Sequence, residues 1–299
     1  MTDRRSISVV IPARDAAETI GAVLDALASQ EPPPDEVIVV DDASADDTAT
    51  IAERHGAKVV RTRERSYAGG ARNRGWAAAG GDTVVFLDAD AIPADGWCAG
   101  LQRALVEFPD SLVACARTFT ARTPWGWIAH LEVETPYLPR GGPREEPTLS
   151  SFCLAVPGDA PVRWHESYGG EDGLFCVDAL AAGLRLVFDP RFHAVHDHRR
   201  ESFSDLRRQQ RRLVYGLARG RGLVRERFYR RLSPRLPLHY FALLRLPIIY
   251  RRVRFDPRLR RRFIRLLPWL VAGEWMLGLS ALRVAWERPS ARDPGGRSF

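Results

Sequence analysis

Between Ser6 and Leu87 a short β-branched run gives way again and again to a stretch of helical spacing, and this alternation restricts the fold more than any other feature. The runs are SISVVI (Ser6–Ile11), EVIVV (Glu36–Val40), AKVVR (Ala57–Arg61) and TVVFL (Thr83–Leu87). Between them lie Ala16–Ser29, with Ile20, Val23, Leu24 and Leu27 at helical spacing, Asp46–His55 and the small-residue stretch Ala68–Ala79. A helix over Asp95–Glu107 and a strand over Leu112–Arg117 continue the pattern. Continuously apolar strands alternating with helices predict an α/β fold, a mostly parallel sheet flanked by helices and built from right-handed βαβ units. Ligands of such sheets sit at the carboxyl ends of the strands, here Pro12–Asp15, Asp41–Ser44 and Asp88–Asp90.

Charge is distributed unevenly over the 299 residues, whose formal net charge is +7. Arg199–Arg265 holds 22 Arg against Glu201, Asp205, Glu226 and Asp256, a net +18, so the remainder carries −11. An acidic body joined to a basic last third suits a cation-handling part and a part that meets an anionic surface. Cys98, Cys115, Cys153 and Cys176 show no C-x-x-C pair, and free thiols in a reducing compartment are expected. Met1–Ser6 is polar and leads straight into the first strand, so no export signal is expected.

Periodicity fades from Thr118 to Pro147, a stretch with Trp125, Trp127 and Tyr137 that reads as a long irregular insertion. A strand over Leu149–Val156, a helix over Glu171–Ala182, a strand over Arg185–Phe188 and an Arg-studded helix over Ser202–Ala218 follow. Two apolar blocks then appear, Leu236–Tyr250 with His239 and Arg245, and Leu266–Trp286 with Glu274 and Arg283. Each holds ionisable groups and the first is too short for ~30 Å of hydrocarbon. An interfacial amphipathic element is expected instead.

FLDAD, Phe86–Asp90, ends a buried strand in two carboxylates one residue apart. Mg2+ and Mn2+ prefer oxygen ligands and are often shared between carboxylates and a phosphate, although Asp is also favoured in turns for its local hydrogen bonds. Asp41 and Asp42 close the second strand, where a carboxylate can accept hydrogen bonds from a nucleobase N–H or a ribose hydroxyl, while Ser44 or Asp46 caps the next helix. Glu171–Asp172 heads a helix after Gly169–Gly170; it reads either as a base for proton removal or as acidic residues favoured by the helix dipole.

The succession SVVIPARDAAETI, EVIVVDDASADDT, GGARNRGWAAAGGDTVVFLDAD and GGEDGLFCVDALAAGLRLVFDP resembles the inverting family 2 glycosyltransferases of the GT-A fold, over roughly Ser6–Arg221. The resemblance implies a catalytic domain over residues 1–221 that transfers a sugar from a nucleotide-diphosphate sugar to a hydroxyl acceptor, with Mg2+ or Mn2+. It places Pro12, Ala13 and Arg14 along the nucleotide pocket, Asp42 at the base with Asp41 among the substrate-binding residues, and Arg72 and Asn73 beside the sugar diphosphate. Asp88 would touch the ribose or sugar, Asp90 would hold the metal, Glu171 would bind substrate and Asp172 would be the base. His196, in FHAVHDHRR, would lie near metal or diphosphate, with His198 a weaker candidate. Two departures stand out. Ala43 replaces a Gly usual after the paired Asp, tolerable only if it avoids positive φ. VRWHESYGGED lacks the usual wording before the Glu-Asp pair, which makes Trp164, His165 and Glu166 candidates for acceptor contacts.

Residues 222–299 read as a basic amphipathic helical region close to a membrane. Lys58 is the one Lys of the chain, so Arg enrichment owes something to codon usage, yet Arg interleaved with Leu, Trp, Phe and Tyr exceeds the needs of a solvated face. Attachment to the cytoplasmic leaflet and a lipid-linked acceptor follow as expectations. Nucleic acid is the competing partner for an Arg-rich surface, but no such binding motif is present and the acidic body would be repelled. A nucleotidyltransferase would carry a Gly-rich loop where this chain reads IPARDAAET, and a non-catalytic module is not signalled by loss of Asp90 or Asp172.

Overall fold

The computed structural model describes residues 4–166, 170–224 and 245–287. Most of the apolar block expected at Leu236–Tyr250 therefore lies outside the described residues. The chain forms two compact units. One comprises Met1–Thr118, Pro139–Ser167 and Glu171–His198; the other comprises Phe119–Leu138, Tyr168–Gly170 and Arg199–Phe299.

The first unit holds a nine-stranded sheet. Its strands are β1 (Ile7–Ala13), β2 (Glu36–Asp41), β3 (Lys58–Arg61), β4 (Thr83–Leu87), β5 (Ala91–Pro93), β6 (Ser111–Phe119), β7 (Arg144–Glu145), β8 (Cys153–Pro157) and β9 (Arg185–His196). Helices α1 (Ile20–Ala28), α2 (Thr48–Arg54), α3 (Tyr67–Ala78), α4 (Trp97–Glu107) and α6 (Glu171–Ala181) flank it. The order is β3-β2-β1-β4-β8-β6-β9-β5, with β7 on β9. Pairings among β3, β2, β1 and β4 are parallel, whereas β8 runs antiparallel to β4 and β6, and β9 antiparallel to β5 and β7. The α/β fold is thus built on a mixed sheet. The crossover helices α1, α2 and α3 enforce parallel pairing in its first half, and the later strands return without such a helix between every pair.

β1 pairs Ala13 with Asp41 of β2, so these strand ends sit side by side. Val9, Ile11, Val39 and Val85 pack under Ile20, Leu24, Leu27 and Leu101 on one face. On the other face α3 lies close to the sheet, because a Cβ on Gly75 would run into the side chains of Val10 and Val40. β1, β4 and the Ile38–Asp41 half of β2 are buried on both faces, which explains their unbroken β-branched runs.

The second unit is helical: α5 (Pro124–Val133), α7 (Phe203–Val224), α8 (Arg245–Val253), α9 (Pro257–Arg265) and α10 (Leu267–Glu287). Its core gathers Phe119, Trp127, Ile128, Leu131, Leu206, Ile249, Val253, Phe263 and Leu270. The insertion expected to be irregular contains α5 and a 3-10 turn over Thr135–Tyr137. Every residue from Gly126 to Glu132 is buried, so the helix has no polar face to give it a periodicity. Its local signal was the cap: Thr123 accepts from the Gly126 N–H and Pro124 follows in the first turn. No helix among the described residues is long and apolar enough to cross a membrane.

Candidate functional site

The strand ends bring together most of the charged residues singled out by sequence. β4 closes at Leu87, Ala91 opens β5, and the Ala91 N–H donates to the Asp88 carbonyl at 3.0 Å, a tight turn that carries both carboxylates of FLDAD. β5 pairs Ala91 with His196 at the end of β9, which places the His196 Nε2 3.5 Å from Asp90 Oδ2. β9 runs past the Phe188 end expected from sequence, through Pro190 to His196, because β5 pairs with Ala194, Val195 and His196.

Arg72 is the electrostatic centre of this arrangement. It lies on α3, is 3% exposed, donates from Nη2 to Asp88 Oδ1 at 3.0 Å and faces Glu171 Oε1 at 3.6 Å from Nη1. Its guanidinium lies 4.7 Å from the centre of the Trp164 ring. Burial works against its charge, but Asp88, Asp172 and Glu171 together hold it firmly protonated. Arg72 Nε and Nη1 and Asp172 Oδ1 are buried without hydrogen-bond partners. Such atoms cost free energy unless a ligand satisfies them, so the donors call for an anion and the carboxylate for a proton donor.

Carboxylates outnumber cations here. Burial raises the Asp88 carboxyl above its ordinary range and neighbouring Asp90 and Asp172 add to this, while Arg72 and His196 oppose it. Glu171 is raised in the same way, by burial first and then by the Asp172 charge. Asp88, Glu171 and Asp172 act on one Arg, and Asp90 on Asp88, so the site is negative and rich in the oxygen ligands that hard divalent cations prefer.

Other residues form the frame. Asp42 is buried, and its Oδ1 accepts from the Ser66 N–H at 2.7 Å, from the Ser66 hydroxyl at 2.6 Å and from Thr62 at 3.2 Å. Arg14 Nη1 donates to the Asp42 carbonyl at 2.8 Å, and the Ser44 N–H to Asp41 Oδ1 at 3.3 Å. Pro12 and Ala13 line the adjoining strand end opposite Val40 and Asp41. Ala43 has φ of +56°, the left-handed conformation that the substitution for Gly was expected to avoid. The surrounding hydrogen bonds hold it there against its steric preference.

Asn73 engages backbone: its amide donates to the Trp164 carbonyl at 2.9 Å and accepts from the Trp164 N–H at 2.9 Å, with Glu166 Oε1 at 3.2 Å. Trp164 itself is 3% exposed and stacked on Phe175 at 4.0 Å, forming the floor beneath Arg72. A Cβ on Gly69 would meet the His165 carbonyl, so α3 touches this strap directly. His165 pairs with Asp178 of α6 at 2.7 Å. Ser66, Thr62 and Gly69 were not singled out by sequence, and the Gly69-Gly70 pair inside a helix was the one sign of close approach. His198 is buried and its ring meets that of His196 edge-on at 5.2 Å.

The profile of the family described as "Glycosyl transferase family 2" matches residues 8–156. An uncharacterized glycosyltransferase of Mycobacterium tuberculosis (strain ATCC 25618 / H37Rv) is 36% identical over 126 residues, 42% of this chain and 55% of that protein. The pre-mycofactocin glycosyltransferase of the same strain is 29% identical over 211 residues, 65% of this chain and 43% of that one. The chain thus spans about half the length of the curated relatives it matches. Among solved structures, the mannosyltransferase PcManGT of Pyrobaculum calidifontis, in complex with GDP-Man and Mn2+, shares the fold at a TM-score of 0.62 and 19% identity, covering 96% of this chain and 89% of that one.

Proposed function

Since residues 8–156 place this chain in glycosyl transferase family 2, we propose that it transfers a sugar from a nucleotide-diphosphate sugar to an acceptor hydroxyl, with inversion at the anomeric carbon. The observation that carries the reading is the juxtaposition of unsatisfied Arg72 donors with the unsatisfied Asp172 carboxylate in one carboxylate-lined site. The donor's diphosphate offers the acceptor oxygens that Arg72 lacks. Asp172 removes the acceptor proton as the acceptor oxygen bonds to the anomeric carbon, while the bond from that carbon to the diphosphate breaks on the opposite face. Asp41, Asp42 and Arg14 frame the nucleoside, and Asp88 meets the ribose or sugar while anchoring Arg72. Glu171 faces the same guanidinium and helps orient it.

Asp90, with His196 beside it, would hold Mg2+ or Mn2+, which offsets the charge that develops on the departing nucleoside diphosphate. Bound GDP-Man and Mn2+ in the structurally similar mannosyltransferase support this reading. We further read residues 1–221 as the catalytic part and 222–299 as a membrane-proximal region at the cytoplasmic face, suited to a lipid-linked acceptor; the 14 Arg between residues 222 and 265 support it.

Calorimetric titration with UDP, GDP and dTDP, with and without Mn2+, tests the donor side. One nucleotide should bind, and only with metal. Asp172→Asn should then abolish transfer to a hydroxyl acceptor and leave that binding nearly intact, whereas Asp90→Ala should weaken the metal-dependent binding itself. Turnover retained in Asp172→Asn would refute the base assignment.

A further inference from the structure

α10 is apolar on the side that faces solvent. Along Leu267–Leu279 its inward side chains are Leu270, Glu274 and Leu277, all fully buried. Pro268, Ala272, Trp275 and Leu279 are exposed and, at 100° per residue, fall within an arc of about 60° directly opposite Leu270 and Leu277. Trp275 is 56% and Leu279 61% exposed. No polar or charged side chain lies on the outer half of this helix between Leu267 and Leu279. Leu267 and Trp269 widen the surface, and Trp269 continues it edge-on to Trp125 at 5.0 Å, which in turn meets Phe203 at 5.0 Å. A helix with an apolar outer face as well as a buried inner one calls for cover on both.

The helix just before it indicates what provides that cover. α9 turns Phe263 inward and exposes Arg258, Arg260, Arg261, Arg262 and Arg265 together with Ile264. Arg251 and Arg254, also exposed, precede it beside the exposed Phe255. Exposed basic side chains on the helix that leads into an apolar, Trp-bearing stripe match the layers of an anionic bilayer surface, where phosphates meet the guanidinium groups and indole rings settle at the headgroup level.

We propose that the outer stripe Pro268–Ala272–Trp275–Leu279, with the Arg set of α9, is a monotopic docking face for an anionic lipid leaflet. This locates the membrane attachment proposed above and does not depend on the catalytic step. A second copy of the chain is disfavoured as occupant, because it would bring a like-charged Arg set to the same face.

The test is flotation of the full chain with vesicles of phosphatidylcholine alone and of equal parts phosphatidylcholine and phosphatidylglycerol. The chain should float with the anionic vesicles only, and less at high salt. Replacing Arg258, Arg260 and Arg261 with Ser should lower the partition coefficient on the order of 100-fold. Trp275→Ser with Leu279→Ser should lower it at least about tenfold with an unchanged melting curve, and Trp275→Phe should restore it. A chain that stays unbound, or a Trp275→Ser/Leu279→Ser variant that floats like the parent, overturns the proposal. So does a dimer in light scattering that Trp275→Ser dissociates, which would give the stripe to a second copy. Nucleotide titration runs independently, so loss of flotation and loss of donor binding remain distinguishable.

Discussion

Arg72 shows how one side chain can organise a site. Its planar fork reaches Asp88 and Glu171 at once and its face lies on Trp164, three demands that a Lys ammonium cannot meet together. Arg72→Lys should therefore weaken metal-dependent nucleotide binding by about 10- to 100-fold, the loss of a buried charge-assisted hydrogen bond, as read by calorimetry. Ala43 poses the opposite case, a residue held where its Cβ is unwelcome, at φ +56°. Ala43→Gly should relieve that strain at the cost of some unfolded-state entropy, for a net gain of about 0.5–1 kcal/mol in denaturant unfolding. The need for a carboxylate after β2 is legible in EVIVVDD, but the left-handed turn is not, because φ at residue 43 is set by the Asp41 and Asp15 hydrogen bonds around it.

Among the elements, the helices of the second unit are tied by a buried polar knot. Glu132 of α5 accepts from Gln210 of α7 at 2.9 Å, Gln210 also donates to the Gly273 carbonyl of α10, and Arg245 of α8 reaches both the Glu132 carbonyl and Glu274. Burial, with the Glu274 charge adding to it, pushes the Glu132 carboxyl up to about 8 against the opposing pull of Arg245 and Gln210. Burial pushes Glu274 up to about 7, with Arg245 opposing. Both folded values exceed the ordinary 4.5, so above that pH the unfolded chain has released protons that the folded chain retains. Stability is then fully present below the ordinary value and falls as pH rises toward 7 to 8, by at most about 1.4 kcal/mol per pH unit for each group. Thermal unfolding of the parent between about pH 5 and pH 8 should show this decline, and Glu274→Gln should flatten it; identical slopes in the two proteins would refute the assignment. None of this could be read from sequence, where Glu132, Gln210 and Glu274 lie in three separate stretches and Glu132 sits in a segment expected to be irregular.

Across the whole molecule, the alternation of strand and helix up to Leu87 and the positions of Asp42, Asp88 and Asp90 at strand ends follow from local rules. β-branched runs, amphipathic spacing and turn residues act over a few positions, and the carboxyl ends of parallel strands collect ligands whatever the side chains. Tertiary structure alone decided the rest. Only packing shows that Asn73 grips the Trp164 backbone, that Arg72 rests on that ring, that β9 extends to bring His196 to Asp90, and that α5 and α10 close a second core. These contacts join residues far apart in the chain, and their sign depends on burial. In a local window a helix buried all round and an irregular loop look alike, and one exposed helix face and one buried face carry the same residues until the fold states which of them has a neighbour.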